Sequence, residues 1–154
     1  MLPKLLTPWT ESAVSVLSVS PSPETHARLR GIFGHTNWTL QEARGLHDAL
    51  EFLQAHRTPV LICERKLPDG SWQDMAREIL HMPNPPNLIV TAPDADDSLW
   101  SDVLDRGGYD VLARPFDSTE VTRIVSLAWR TWKEAYNRAP GRAVVPPAVL
   151  SASA

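Results

Sequence analysis

The chain has little of what several large classes of protein require. Among its 154 residues there is one cysteine, Cys63, so an intramolecular disulfide is excluded. No apolar run approaches the ~18 residues of a membrane span. No cluster of lysine or arginine marks a nucleic-acid surface, and the net charge is −3. The apolar part of residues 1–12 is too short for a signal-peptide core. We therefore expect a cytoplasmic protein with neither a membrane nor a nucleic-acid partner.

Motifs of common enzyme and metal sites are missing as well. The sequence has no Gly-x-Ser-x-Gly elbow for a serine nucleophile and no glycine-rich loop for a nucleotide. None of the five histidines stands at metal-ligand spacing from another histidine or from the cysteine, and we expect them all at the surface. Cys63 lies in an apolar run, which predicts a buried thiol with a packing role. Together these absences predict a protein that is not an enzyme.

A regular alternation of strands and helices is what the sequence does contain. Five short apolar segments are each followed by a helical pattern, and they are predicted as strands over residues 14–19, 37–41, 60–63, 87–92 and 109–113. Strands that are apolar along their whole length, with short connections, are typical of a parallel sheet covered by helices on both faces. The sequence thus predicts a doubly wound α/β fold.

Local signals set several helix ends and helix faces. Ser22 and Pro23 predict the start of the first helix, and Gly34 predicts its end. The fourth helix should start near Asp96 or Asp97. In the first helix the apolar face is predicted to include Ala27. In the third helix, predicted over residues 71–81, it is predicted to include Leu80.

Polar side chains follow four of the predicted strands. Ser20 and Pro21 follow the first strand, and Glu64 follows the third. Thr91 lies at the end of the fourth strand, and Arg114 follows the fifth. Because the carboxyl ends of parallel strands share one edge of a sheet, Glu64, Thr91 and Arg114 are expected to converge if their strands are neighbours. An acid, a hydroxyl and a guanidinium at one edge suggest an anion or phosphoryl site.

Three stretches of sequence resemble the receiver domains of two-component response regulators. They are VLICERKLPDG at residues 60–70, LIVTA at 88–92 and GGYDVLARPFDSTEV at 107–121. The resemblance covers about residues 13–136, with 1–12 as an N-terminal extension and 137–154 as a flexible C-terminal tail. It implies a flavodoxin-like (βα)5 fold with strand order 2-1-3-4-5 and a chemotaxis-type, single-domain role in phosphorelay signal transduction.

At the positions that carry the family's phosphoryl chemistry, the chain departs from the receiver pattern. The phosphoacceptor aspartate falls on Glu64, and the acid pair that holds Mg²⁺ falls on Ser20 and Pro21. The family's lysine falls on Arg114, and its switch aromatic falls on Val111. Mg²⁺ prefers carboxylate and water oxygens, so binding of this ion is expected to be weak or absent.

The scaffold motifs match the family, whereas most of the phosphoryl chemistry does not. The switch position Thr91 and the bend at Pro115 and Phe116 are retained. The sequence therefore predicts a degenerate pseudo-receiver. Two roles for Glu64 remain open: it imitates the phosphorylated state by bonding Thr91 and Arg114, or it only neutralises Arg114 or faces solvent at the loop.

Such a module would act by contact with a protein. In receivers the fourth helix, fifth strand and fifth helix form the usual partner and dimer face, and here they carry Trp100, Trp129 and Trp132. Tryptophan is enriched at interface hot spots, so we expect at least one of the three to contact a signalling partner or a second copy. The other interpretation is that Trp129 and Trp132 cap the core and pack the end of the helix. For the function of the module, one alternative is a working phosphoacceptor whose Mg²⁺ site is rebuilt from Glu64, Glu24 or a backbone carbonyl. The other is an anion- or nucleotide-binding module that uses the vacated site.

Overall fold

The computed structural model describes residues 14–138, and its centre is a five-stranded parallel sheet. The strands are β1 (Ser15–Val19), β2 (Thr39–Ala43), β3 (Val60–Glu64), β4 (Asn87–Ala92) and β5 (Asp110–Ala113). Their order across the sheet is β2-β1-β3-β4-β5. The predicted α/β architecture and strand order are thereby confirmed. The predicted extension 1–12 and all but the first two residues of the predicted tail 137–154 lie outside the described residues.

Five helices connect and follow these strands. They are α1 (Pro23–Phe33), α2 (Leu46–Ala55), α3 (Trp72–Ile79), α4 (Asp97–Asp105) and α5 (Ser118–Arg138). Ser22 caps α1 by accepting a hydrogen bond from the backbone of Thr25, and Asp96 caps α4 in the same way. Both predicted helix starts are therefore confirmed. No helix in the described range is long and apolar enough to cross a membrane.

Two boundaries differ from the sequence prediction. Strand β2 lies two residues later than predicted, and α3 covers Trp72–Ile79 where residues 71–81 were predicted. The first turn of α2 is capped by the carboxylate of Asp69, which comes from a distant loop and leaves no local signal in the sequence. The turn after Glu64 also forms a short antiparallel hairpin, Lys66–Leu67 with Gly70–Ser71, which was not predicted.

Two apolar clusters, one on each face of the sheet, make up the core. Alternate residues of a strand point to opposite faces, so Leu61 and Cys63 of β3 enter one cluster and Val60 and Ile62 enter the other. Helices α2, α3 and α4 close the first cluster, and α1 and α5 close the second. Each large side chain buried in this way contributes roughly 1.5–3 kcal/mol to folding. Because helices cover both faces of the sheet, all five residues of β3 are buried.

Two predicted core positions are wrong. Ala27 is exposed, because the buried face of α1 instead follows His26, Leu29 and Phe33 at helical spacing. Leu80 is 63% exposed, since α3 ends at Ile79 and Leu80 occupies the C-cap position beyond the packed face. In both helices, the apolar face predicted from the sequence included one residue too many.

Candidate functional site

The carboxyl ends of β1, β3, β4 and β5 bring the predicted site residues to one edge of the sheet. Glu64 lies opposite Thr91 in the register of β3 with β4. Arg114 follows β5 directly, and its backbone N–H donates to the carbonyl of Ala92 at 3.2 Å. The predicted convergence therefore depends on the strand order, which makes β3, β4 and β5 consecutive neighbours.

Glu64 uses both carboxylate oxygens inside the protein. Ser20 Oγ donates to Glu64 Oε1 at 3.0 Å, and Arg114 Nη2 forms an ion pair with Glu64 Oε2. The Glu64 side chain is 11% exposed and the Arg114 side chain 26% exposed. A carboxylate taken out of water at this depth needs a compensating charge and hydrogen bonds, and Arg114 and Ser20 supply them. Of the roles considered from the sequence, exposure of Glu64 to solvent is wrong.

Thr91 lies beside this cluster without joining it. The residue is 1% exposed, and within residues 14–138 its Oγ1 has no hydrogen-bond partner. The Nε of Arg114 is likewise buried and without a partner in that range. Imitation of a phosphoryl group would require Glu64 to contact both residues, and the structure contains the contact with Arg114 alone.

Ser20 is positioned by a histidine that was expected at the surface. His26 is 5% exposed, which corrects that expectation. Its Nε2 lies 2.8 Å from the carbonyl of Ser20, and its Nδ1 lies 3.0 Å from Ser18 Oγ. A carbonyl only accepts, so Nε2 carries a proton and donates to Ser20, and Nδ1 is the partner of the Ser18 hydroxyl. The spacing of residues 26, 29 and 33 on one face of α1 is the signal that could have identified His26 as buried.

The hydroxyl of Ser20 was missed for a different reason. From the sequence, Ser20 was interpreted only as the position of a lost metal ligand. In the structure, Ser20 Oγ accepts from the backbone N–H of Ser22 at 3.0 Å and donates to Glu64. It therefore links the start of α1 to the acid at the end of β3. Contacts of this kind depend on two distant segments and have no spacing rule in the sequence.

The residues at this edge do not fit a resident Mg²⁺ ion. That ion is usually held by one or two carboxylates together with waters. Here Glu64 is the carboxylate, both its oxygens are occupied, and Pro21 offers no side-chain oxygen. Within the described part of the chain there is no group of three or more His, Cys, Asp or Glu residues that could hold a metal ion.

The loop after Glu64 is fastened to the neighbouring helix by Asp69. Its two carboxylate oxygens accept from the backbone N–H groups of Leu46 at 2.7 Å and His47 at 2.9 Å. The hydrogen bonds from His47 and then Leu46 hold the pKa of Asp69 below its usual value, because they favour the charged carboxylate. A Cβ at Gly45 would lie 2.6 Å from Asp69 Oδ1, so the glycine leaves room for the carboxylate in this position. These hydrogen bonds therefore connect the loop that follows Glu64 to the first turn of α2.

The three tryptophans predicted at an interface differ in exposure. Trp100 on α4 is 48% exposed, whereas Trp129 is half-buried with Lys133 Nζ 4.4 Å from its ring centre. Trp132 is 3% exposed and stacks on Tyr136, so the prediction that its side chain meets a partner is corrected. This prediction failed because Trp132 lies on the buried face of α5.

A shallow groove lies next to Trp100. It has a volume of about 410 Å³ and is bordered by Trp100, Val111, Ala113 and Glu120, among others. Val111 is half-buried and packs against the first core cluster. The groove therefore spans α4, β5 and the first turn of α5.

Cys63 is fully buried, as predicted. Its exposure is 0%, and burial, with a smaller effect of the nearby Glu64 charge, raises the pKa of the thiol far above its ordinary value. A thiol is nucleophilic as the thiolate, and burial at this position disfavours that form.

Comparison with known proteins supports the fold at low sequence identity. No family model matches the chain. The response regulator protein PilR of Pseudomonas aeruginosa is 26% identical over 130 residues, which cover 84% of this chain and 29% of PilR. The chain thus spans less than a third of that curated relative's length.

Solved structures superpose on most of the chain. The signal receiver domain of an HD domain-containing protein from Pseudomonas fluorescens Pf-5 has a TM-score of 0.76 at 22% identity, covering 85% of this chain and 97% of that one. The receiver domain of a putative Luxo repressor protein from Vibrio parahaemolyticus gives 0.74 at 20% identity, covering 80% and 95%. The beryllofluoride-activated NtrC4 receiver domain dimer gives 0.71 at 19% identity, covering 77% and 98%. This chain therefore has the fold of the response-regulator receiver domains.

Proposed function

We propose that this chain is a pseudo-receiver: a receiver-like regulatory module in two-component signal transduction that works by protein contact without accepting a phosphoryl group. The observation that carries the proposal is the occupation of both Glu64 oxygens by Ser20 and Arg114. An acceptor must present a free carboxylate oxygen in line with the phosphodonor. Here that oxygen would first have to leave an ion pair that is largely buried.

Two further features of the site oppose phosphoryl transfer. Glutamate extends one methylene beyond aspartate, which displaces the attacking oxygen, and small displacements of reacting atoms slow such reactions strongly. The edge also lacks a donor set for Mg²⁺, the ion that ordinarily neutralises the charge developing on the phosphoryl group. The chain's own Arg114 is already neutralised by Glu64. Acceptor chemistry is therefore proposed to be lost.

Glu64 acts in this proposal as an internal counter-ion for Arg114. A phosphoryl group carries nearly two charges and three acceptor oxygens, whereas a carboxylate carries one charge and two oxygens. The two oxygens of Glu64 are bonded to Ser20 and Arg114, and neither accepts a hydrogen bond from the buried hydroxyl of Thr91. The module is thus held in one state, and its control lies in its abundance or in its partner.

The partner surface is proposed to be the face formed by α4, β5 and α5. Trp100 is a large, half-exposed aromatic beside the groove that spans these elements. Such a residue gains binding energy when a partner covers it. The proposed occupant is a signalling protein or a second copy of this chain, and the activity is regulation by contact, not catalysis.

Intact-mass measurement after incubation with acetyl phosphate and Mg²⁺ tests the proposal. We expect no phosphoryl adduct on the wild-type protein and none on Glu64→Gln, the control that cannot accept a phosphoryl group. Glu64→Asp shortens the acid and breaks its contact geometry. An adduct on that variant alone would identify Glu64 as the block. A stable adduct on the wild-type protein that is absent from Glu64→Gln would overturn the proposal in favour of a working acceptor.

Light scattering coupled to size exclusion tests the surface. If this face joins two copies, Trp100→Ala should shift the protein towards the monomer, whereas Leu80→Ala, an exposed apolar residue beyond the end of α3, should not. A monomeric wild type would assign the face to a separate partner, which pull-downs with the same pair of variants would reveal. Equal behaviour of both variants in both assays would refute the role of Trp100.

A second candidate function has its own observation. Thr91 Oγ1 and Arg114 Nε are buried polar atoms without partners in the described range, and both can donate to a small anion. Titration with inorganic phosphate in a thermal-shift assay tests this candidate. A saturable rise in Tm that Thr91→Val abolishes would favour an anion-binding module, and no shift would leave the pseudo-receiver as the proposal.

A further inference from the structure

The groove beside Trp100 leaves apolar side chains exposed at an open edge of the sheet. It is bordered by Val111 and Ala113 of β5, the edge strand. Trp100 is 48% exposed, and Leu104, one turn further along α4, is 39% exposed. Exposed apolar side chains beside a groove with a polar rim mark sites of protein interaction. The charge on that rim then decides which partner fits.

The rim of the groove carries charge of one sign. Three carboxylates border it, from Asp96 and Asp97 at the start of α4 and from Glu120 in the first turn of α5. Among residues 14–138, no lysine, arginine or histidine borders the groove. The starts of α4 and α5 each contribute roughly half a positive charge, which offsets only part of the three negative charges. The groove therefore keeps a net negative charge.

Two of these carboxylates are free to bind a partner. The ion pairs formed within the described residues involve neither Asp97 nor Glu120. Asp96 uses Oδ1 to cap α4, where it accepts from the backbone N–H of Leu99 at 2.9 Å. Positive charge on a partner can therefore pair with Asp97 or Glu120 without displacing a contact inside this chain.

Arginine is the side chain that matches this combination of ring and carboxylates. A guanidinium is attracted to the face of an indole ring, and tryptophan is the best of the aromatic residues for this contact. It also donates two parallel hydrogen bonds to a carboxylate, which the ammonium group of lysine does not. Arginine is enriched at protein interfaces, whereas lysine is depleted. An arginine of a partner can thus contact Trp100 and pair with Asp97 or Glu120 at once.

A second copy of this chain fits the groove poorly. In a twofold dimer each copy uses the same surface, so the two acidic grooves would face each other. Like charges placed opposite one another across an interface oppose binding. The net charge of −3 on the chain adds to this repulsion. The charge pattern favours a separate protein as the occupant.

We propose that the groove binds an arginine-bearing segment of a separate signalling protein, with a guanidinium over Trp100 and paired with Asp97 or Glu120. The inference rests on the partner face proposed above and narrows its occupant to one chemistry. The negative groove also attracts such a segment from a distance, so binding weakens as salt is added.

A peptide titration of the isotope-labelled full chain tests the inference. The probes are acetylated tetra-arginine and tetra-citrulline peptides, which have nearly the same shape but differ in charge. The readout is the nuclear magnetic resonance signal of the Trp100 indole N–H, assigned by its loss in Trp100→Phe. We expect the tetra-arginine peptide to shift this signal saturably and less strongly in salt. The tetra-citrulline peptide should bind more weakly.

Two double variants separate the groove from general attraction of charge. Asp97→Asn/Glu120→Gln should raise the Kd of the tetra-arginine peptide about fivefold, since two exposed charge contacts are lost. The matched control Glu78→Gln/Glu134→Gln removes the same charge from exposed positions outside the groove. It should change the Kd by less than about twofold, because salt screens distant charges.

Three results of the titration would overturn the inference: no saturable shift, equal affinity for the two peptides, or an equal Kd in the two double variants. A wild-type dimer that Trp100→Ala separates would overturn it as well. The occupant would then be a second copy, and the proposed partner face itself would stand. If Trp100→Ala had no effect in light scattering or in pull-downs, the face would be refuted and this inference with it.

Discussion

The middle of the sheet and its carboxyl edge follow different rules in this molecule. The middle parts of the strands are apolar on both faces of the sheet and contribute to both core clusters, as a doubly wound sheet requires. At the edge, the polar side chains of Ser20, Glu64 and Arg114 are joined by a hydrogen bond and an ion pair. The fold depends on the first region, and under the proposal above the second is where this chain departs from the receiver pattern. A receiver fold is therefore weak evidence for receiver chemistry.

The largest expected effect comes from the sheet interior. Leu88→Ala removes a side chain that is 1% exposed in the first core cluster, so it should lower the free energy of unfolding by about 2–5 kcal/mol. The same substitution at Leu80, 63% exposed, should change it by less than about 0.5 kcal/mol. Urea denaturation measures both. Similar losses at the two leucines would show that the sheet interior does not dominate stability.

The candidate site should respond less strongly. Arg114→Ala leaves the Glu64 charge buried with Ser20 as its remaining partner. Loss of one member of a buried pair costs about 3–5 kcal/mol, but the Arg114 side chain is 26% exposed, so we expect about 1–3 kcal/mol.

The double variant Glu64→Gln/Arg114→Met is the control for Arg114→Ala. It removes both charges and keeps similar volumes, so its unfolding midpoint in urea should recover much of the loss. If the double variant were as unstable as Arg114→Ala, packing of the arginine side chain, and not the unpaired charge, would explain the effect.

The same contrast explains what could be predicted from the sequence. Apolar periodicity is a local property, so the five strands were predicted correctly, and local capping signals predicted the starts of α1 and α4. The strand order was predicted from the resemblance to receiver domains. Contacts such as Asp69 with Leu46, or Ser20 with Glu64, join segments far apart in the chain and leave no periodic signal. The approach of Glu64 and Arg114 was predictable because parallel strands align their ends. The burial of His26 was missed because a polar residue on an apolar helix face was judged by its type alone.

Removal of the Asp69 contact should have a smaller effect that depends on pH. The carboxylate caps α2 from the loop, and its removal in Asp69→Ala should cost about 0.5–1 kcal/mol at neutral pH, as for an exposed helix cap. The pKa of Asp69 in the folded protein is lowered from 3.8, so the contribution is fully present above that value. As the pH falls through the lower, folded-state pKa, the carboxylate is protonated and the contribution is lost.

Urea midpoints of the wild type and Asp69→Ala across this pH range measure the effect. The gap between the two proteins should close in acid, because both then lack the charged cap. Glu78→Ala, an exposed acid near the end of α3, is the control and should give no comparable closing of the gap. A gap that persists below the folded-state pKa would mean that Asp69 acts through something other than its charge.

The smallest effect is expected at Thr91, and it discriminates most sharply between the two roles of Glu64. Thr91→Val keeps the shape of the side chain and removes a buried hydroxyl that has no partner in the described range. A buried polar group without a partner is unfavourable, so the variant should be as stable as the wild type or more stable by up to about 1 kcal/mol. If Thr91→Val instead lost more than about 1 kcal/mol, the hydroxyl would be hydrogen-bonded in solution. Glu64 would then reach Thr91 as an imitation of the phosphorylated state requires.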